Sequence, residues 1–153
     1  MKENVSIYLD LINSAHSTFQ DFLQHLPDEM LDLRLHDLVP TARQIIKHTI
    51  SDQLWLASFI VGKQLERPTV QLGDNLTLDE YISAYEKVVN EVLECFSNLT
   101  DDMLERNIDF KGYSRPIKEW LFEYIHHLSF HSGQLSQIHV IWKRMSDDKK
   151  MKV

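Results

Sequence analysis

Apolar positions recur along most of this chain at alternating steps of three and four, the spacing that lines one face of an α-helix and cannot line one face of a strand. Val5, Tyr8, Ile12, Ala15, Phe19, Phe22 and Leu26 form the first such stripe, predicting a helix over about 3–25. Ala42, Ile45, Thr49, Leu56, Phe59 and Ile60 form the second, from near Thr41 to near Gly62. Leu78, Ile82, Tyr85, Val89, Val92, Phe96 and Leu99 form the third. Its start is marked by Thr77 and Glu80, which have capping-box spacing. Ile117, Leu121, Tyr124, Leu128, His131, Leu135, Ile138, Trp142 and Met145 form the fourth, beginning near Pro116, a residue suited to a first helical turn. Between the stripes, 27–40 reads as a connection with a short helix around 30–33, and 66–75 as a loop. A short helical turn is expected near 100–105, and 107–114 as an irregular or briefly extended loop.

Four long amphipathic helices predict an all-α four-helix bundle. The second and third connections are long, so at least one is expected to cross over the bundle. The expected domain covers 1–146, and 147–153 reads as a frayed, charged tail.

Composition narrows the function. Four Gly and four Pro in 153 residues are too few for the turns of a β-sandwich or barrel. The formal charge of −7, without a basic block, argues against nucleic acid as a partner. The single Cys95 excludes an intramolecular disulfide and a Cys-based zinc site, and it reads as a buried apolar residue rather than a nucleophile. No apolar run is long enough to span a membrane, and the N-terminal residues lack the pattern of a signal peptide. A cytoplasmic location is the expectation. The chain contains no HExxH, P-loop, Gly-rich dinucleotide turn or GxSxG elbow.

Candidate chemistry comes from the fourth stripe. His131 occupies a position that is otherwise apolar, and His127 lies one turn earlier on the same side. That spacing can bring two imidazoles to one metal ion, although in a chain with eight His it is a weak signal alone. His126 points away from the stripe. A third ligand is needed, and His48, at the edge of the second helix's buried face, is the best placed. His16, His25, His36 and His139 compete, with His16 also readable as a hydrogen-bonded core residue.

The segment His127-Leu-Ser-Phe-His131-Ser-Gly-Gln134 resembles the signature of the DinB/YfiT-like superfamily, as does His48 followed by Trp55 in the second helix. The order of elements matches across nearly the whole chain. Ser132 stands where an Arg is usual, a departure that removes no ligand. The resemblance implies an antiparallel bundle with a crossover connection and a divalent metal, Zn or Ni, held by His48, His127 and His131. It also implies a homodimer and, in some relatives, chemistry on low-molecular-weight thiols.

Neighbouring residues then acquire candidate roles. Asp52 and Gln134 are the candidate catalytic residues: Asp52 to orient His48, ligate the metal or serve as a base, and Gln134 to order the site one turn after His131. Glu123 could hold the second ring nitrogen of His127. Gly133 suggests close approach of another helix. Trp55, Phe59, Tyr85 and Tyr124 either line a pocket or belong to the core, and Trp120 and Phe130, off the main stripe, suggest a face for a second copy. Three functions remain open: thiol transfer to a small electrophile on the metal, hydrolysis by metal-activated water, and non-catalytic metal or ligand binding. The expected partner in the first two is a small-molecule substrate.

Overall fold

The structure is a computed structural model that describes residues 4–67 and 69–150. Four helices dominate it: α1 (Val5–Gln24), α2 (Ala42–Ile60), α3 (Leu78–Phe96) and α4 (Ile117–Lys150). Side-chain caps fix their starts. Asn4 accepts from the Ser6 N–H, and Thr41 with Gln44 and Thr77 with Glu80 form reciprocal capping boxes, the second as the spacing predicts. Glu3, where the stripe placed the first helix start, lies outside the described residues. The expected frayed tail is helical through Lys150; 151–153 lie outside the described residues.

Helix α1 packs chiefly on α4, and α2 on both α3 and α4, so the order around the bundle is α1, α4, α2, α3. Arg43 on α2 meets Tyr81 near the start of α3, and Ser58 meets Cys95 near its end, so these two helices run parallel. Along α4 the order reverses: Gln53 meets His127, and Phe59 meets Trp120, so α2 and α4 are antiparallel. A parallel α2–α3 pair requires the second connection, 61–77, to travel back along the bundle. That is the crossover.

The third connection holds a two-stranded antiparallel hairpin, β1 (Asn107–Phe110) and β2 (Tyr113–Pro116). Its two-residue turn, Lys111-Gly112, has φ of 49° and 84°, the pair of positive values that matches the twist of the strands. Helical periodicity carries no signal for such an element. Phe110 packs against Trp55, Phe59 and Trp120. Trp120 is therefore buried in this cluster and does not belong to an outward face, whereas Phe130 is exposed.

The core unites the four stripes, with shifts of register. Leu23 rather than Phe22 is buried on α1, and Tyr81 and Val88 join α3's buried face. Helix α2 is buried on two sides, through Ile46, Ile50, Ala57 and Ile60 as well as Ala42, Ile45 and Leu56. Among the described residues no helix is long and apolar enough to cross a membrane.

Candidate metal centre

His127 and His131 project from one side of α4 because they are one helical turn apart. The antiparallel packing of α2 brings His48 against them. The three Nε2 atoms converge: His127 to His48 is 3.3 Å and His127 to His131 is 3.2 Å. Nitrogens bound to one ion at ~2.0–2.1 Å in tetrahedral geometry lie about 3.3 Å apart, so the cluster has the spacing of a ligand set. The chain therefore brings together the three His that the sequence singles out.

The remaining ring nitrogens are held by the protein. His131 Nδ1–H donates to Gln134 Oε1 at 2.7 Å, which leaves Nε2 as the lone-pair nitrogen facing the cluster. Gln53, fully buried on α2, donates from Nε2 to His127 Nδ1 at 2.9 Å, while its Oε1 is buried without a partner among the described residues. An imidazole that gives Nε2 to an ion carries its proton on Nδ1. Turning the Gln53 amide over places the orphaned oxygen on that proton, so this residue fits a metal-bound His127 as well as a free one. Glu123 does not take that part; it is exposed on the rim of a small cavity with His127, Asp52, Trp55 and Arg67.

Burial favours the neutral form of His127 and His131. The His127 pKa is pushed down to about 4, first by desolvation and then by the neighbouring His131 and His48. His131 is also lowered by desolvation, against the opposing effect of its bond to Gln134. Neutral imidazoles are the form that binds metal.

Asp52 Oδ2 lies 3.7 Å from His48 Nδ1 and 3.5 Å from Arg67 Nη2. The second is an ion pair and the first a contact between carboxylate and imidazole; neither is a tight hydrogen bond. Asp52 thus faces the outer side of His48 and is not one of the converging ligands. The Arg67 guanidinium stacks on Trp55, 3.6 Å from the ring centroid.

The other candidates fall elsewhere. His16 is a core residue, hydrogen-bonded through Nδ1 to the Tyr85 hydroxyl at 2.7 Å and through Nε2 to the Tyr124 hydroxyl at 2.8 Å. Tyr85 and Tyr124 therefore serve this buried network. His25 Nδ1–H donates to the Asp21 carbonyl, and His36 Nδ1 accepts from the Leu38 N–H. His126 is exposed, and His139 lies beside Trp142. Cys95 is half-buried beside Ser58. A Cβ on Gly133 would meet nothing within 4 Å, so no helix crowds it, and nothing in the structure explains this glycine.

Gln53 and Arg67 were not legible as site residues. Gln53 had a signal: Ile46, Ile50, Ala57 and Ile60 share its face, and it is the polar member of that apolar stripe, as His131 is on α4. Arg67, in the crossover connection, had none.

The family model described as the DinB family matches residues 1–138. A DinB-like protein from Bacillus cereus ATCC 10987 has 22% identity and a TM-score of 0.76, with 90% of this chain and 92% of that chain covered. A DinB-like protein from Bacillus subtilis has 15% identity and a TM-score of 0.67, covering 86% and 88%. A mycothiol-dependent maleylpyruvate isomerase shares the fold at 16% identity and a TM-score of 0.67; the match covers 86% of this chain and 60% of that one. No curated protein matches.

Proposed function

Because the chain belongs to the DinB family, we propose that it is a metal-dependent enzyme in which His48, His127 and His131 hold one divalent ion, Zn or Ni, and a low-molecular-weight thiol is activated for transfer to a small electrophile. The observation that carries this reading is the convergence of three imidazoles, with His127 Nε2 3.3 Å from that of His48 and 3.2 Å from that of His131, all three ligand atoms within 4.8 Å of one another, and His131 oriented by Gln134. The ion would supply a Lewis acid with open positions, lowering the pKa of a bound thiol.

The chain's own residues have separable tasks. Gln134 keeps the His131 proton on Nδ1, and Gln53 does the same for His127 once its amide presents oxygen. Asp52 adds a negative charge on the outer side of His48, which favours a proton on its Nδ1 and frees Nε2. His48 is the outermost ligand, with 48% of its side chain exposed, so the approach for small molecules is from its side. A mycothiol-dependent enzyme of the same fold supports the choice of a thiol over water as the group activated.

The test is metal analysis of the purified protein joined to a thiol-conjugation assay. Zinc or nickel should be bound near one per chain, and conjugation of a small thiol to an electrophile should require it. Bound metal with ester or amide hydrolysis but no thiol transfer would replace this reading with the hydrolytic one. Bound metal without turnover would favour a binding role.

A further inference from the structure

The face of His48 turned away from α4 opens into a cavity of about 560 Å³ between α2 and the crossover connection, lined by Lys47, His48, Ser51, Asp52 and Arg67 with Val70, Gln71 and Leu72. Its charged lining is two cations and one anion, in a chain whose formal charge is −7. Asp52 and Asp74 offset these two cations, so any selection for an anion rests on the geometry of the Arg67 guanidinium and not on net charge.

Arg67 is the distinctive member. Its guanidinium carbon lies 3.6 Å over the centre of the Trp55 ring, a cation–π contact that holds the group in place. Its contact to Asp52 is a 3.5 Å ion pair, and among the described residues none of its five N–H donors makes a hydrogen bond. Half of the side chain is exposed, at 52%. Lys47, by contrast, is engaged with Asp74. Ser51 also lines this cavity, and among the described residues its buried hydroxyl has no partner. A native structure rarely leaves a buried hydroxyl unpaired unless something else satisfies it.

We propose that this cavity binds a small molecule bearing a carboxylate and a short apolar part, with Arg67 as the positioning residue that grips the carboxylate. The planar fork of an arginine matches the two oxygens of a carboxylate, and stacking on Trp55 fixes its orientation in advance. Val70 and Leu72 offer apolar wall for the carbon chain. Arg67 and Asp52 also border the smaller cavity beside His127, so a carboxylate held by Arg67 sits on the metal side of the pocket. The inference rests on the proposed metal centre for its identification of the reacting end, and not for the binding itself.

Butyrate is the probe, with butyramide as its neutral isostere and inorganic phosphate as the competing oxyanion. Binding is followed by NMR titration of the full chain, metal-free and zinc-loaded. Butyrate should bind both forms at least about tenfold more tightly than butyramide or phosphate, the size expected for a charge-assisted hydrogen-bond pair. Arg67→Gln should lose about tenfold or more, Arg67→Lys should fall between, and Lys87→Gln on the far helix α3 should match the unaltered protein. Thermal melts check the fold, and Arg67→Lys carries the comparison if Arg67→Gln is destabilised. Equal butyrate binding by Arg67→Gln, equal binding of butyramide, tighter binding of phosphate, or no binding at all would each overturn the proposal. A protein that takes up no zinc yet binds butyrate through Arg67 would sink the metal reading and leave this one standing. Zinc uptake without Arg67-dependent binding would do the reverse.

Discussion

His131 and Gln134 lie three residues apart on α4, and the 2.7 Å bond between His131 Nδ1 and Gln134 Oε1 determines which imidazole nitrogen faces the cluster. The bond is local, made within one helix, so it survives without the rest of the site. Gln134→Leu should leave the fold intact and weaken zinc affinity about 10–100-fold, the usual effect of losing such a support. Gln134→Glu, which keeps an acceptor, should weaken it far less. Competition with a chelating dye measures both. Equal affinities for the Leu variant and the unaltered protein would show that His131 needs no such support.

Gln53→Leu tests the matching contact on α2. Among the described residues it removes the one side-chain partner of His127 Nδ1 and also a buried, unpaired oxygen. Zinc affinity should fall by a similar factor, while the melting temperature of the metal-free protein changes little, because losing a buried unpaired oxygen offsets the partner lost by His127 Nδ1. A lower melt together with unchanged zinc affinity would assign Gln53 to packing alone.

His131→Ala and His126→Ala separate the two faces of α4. The first removes one of three converging nitrogens and should bring bound zinc well below one per chain. The second alters an exposed ring and should leave zinc content and thiol conjugation unchanged. Elemental analysis after dialysis reads the difference. Loss of zinc from the His126 variant with retention in the His131 variant would place the ligand set one residue away.

The buried His16 network makes stability depend on pH. Desolvation pushes the His16 pKa down to about 4, from an ordinary value of 6.5. Between those values the unfolded chain binds a proton that the folded chain does not, so stability rises with pH through this window. The contribution is complete above about pH 6.5 and is lost as the pH falls toward 4, a change on the order of 3 kcal/mol. His16→Phe should flatten that part of the profile for the metal-free protein, and should also destabilise it by leaving the Tyr85 and Tyr124 hydroxyls without their partner. Urea melts from pH 4 to 7 provide the check. An unchanged slope in the variant would assign the acid sensitivity to other groups, His127 first among them.

The hairpin contributes through Phe110, Trp120 and Phe59, whose rings meet edge to face at 5.0–5.9 Å. Trp120→Ala should cost about 3–5 kcal/mol, as large aromatic truncations in cores do. Calorimetry would show it as a lower melting temperature. A loss below about 1 kcal/mol would mean that the hairpin docks weakly and that Trp120 is replaced by solvent with little effect.

The four helices and the His127–His131 pair were legible because both are matters of local spacing: a period near 3.6 sets a face, and four residues set one turn. The capping box at Thr77 is local in the same sense. The third ligand, His48, needed more than spacing, since its distance from α4 depends on how two helices align; resemblance to a known signature supplied what periodicity could not. Helix α2 illustrates the limit. It packs on both α3 and α4, so its apolar arc is broad, and the stripe through Ala42, Ile45 and Thr49 hid the second one on which Gln53 sits.

By itself, then, the sequence determined the fold class, the helix starts and which ring positions on α4 face inward, because these follow from interactions within a few residues. Only the tertiary structure decided that Gln53 rather than Glu123 meets His127, that Trp120 lies under a hairpin, that no helix crowds Gly133, and that Arg67 stacks on Trp55 beside Asp52. Each of those depends on which segments meet after a connection of many residues has chosen its path. No periodicity encodes that path; it is set by the packing of all four helices at once.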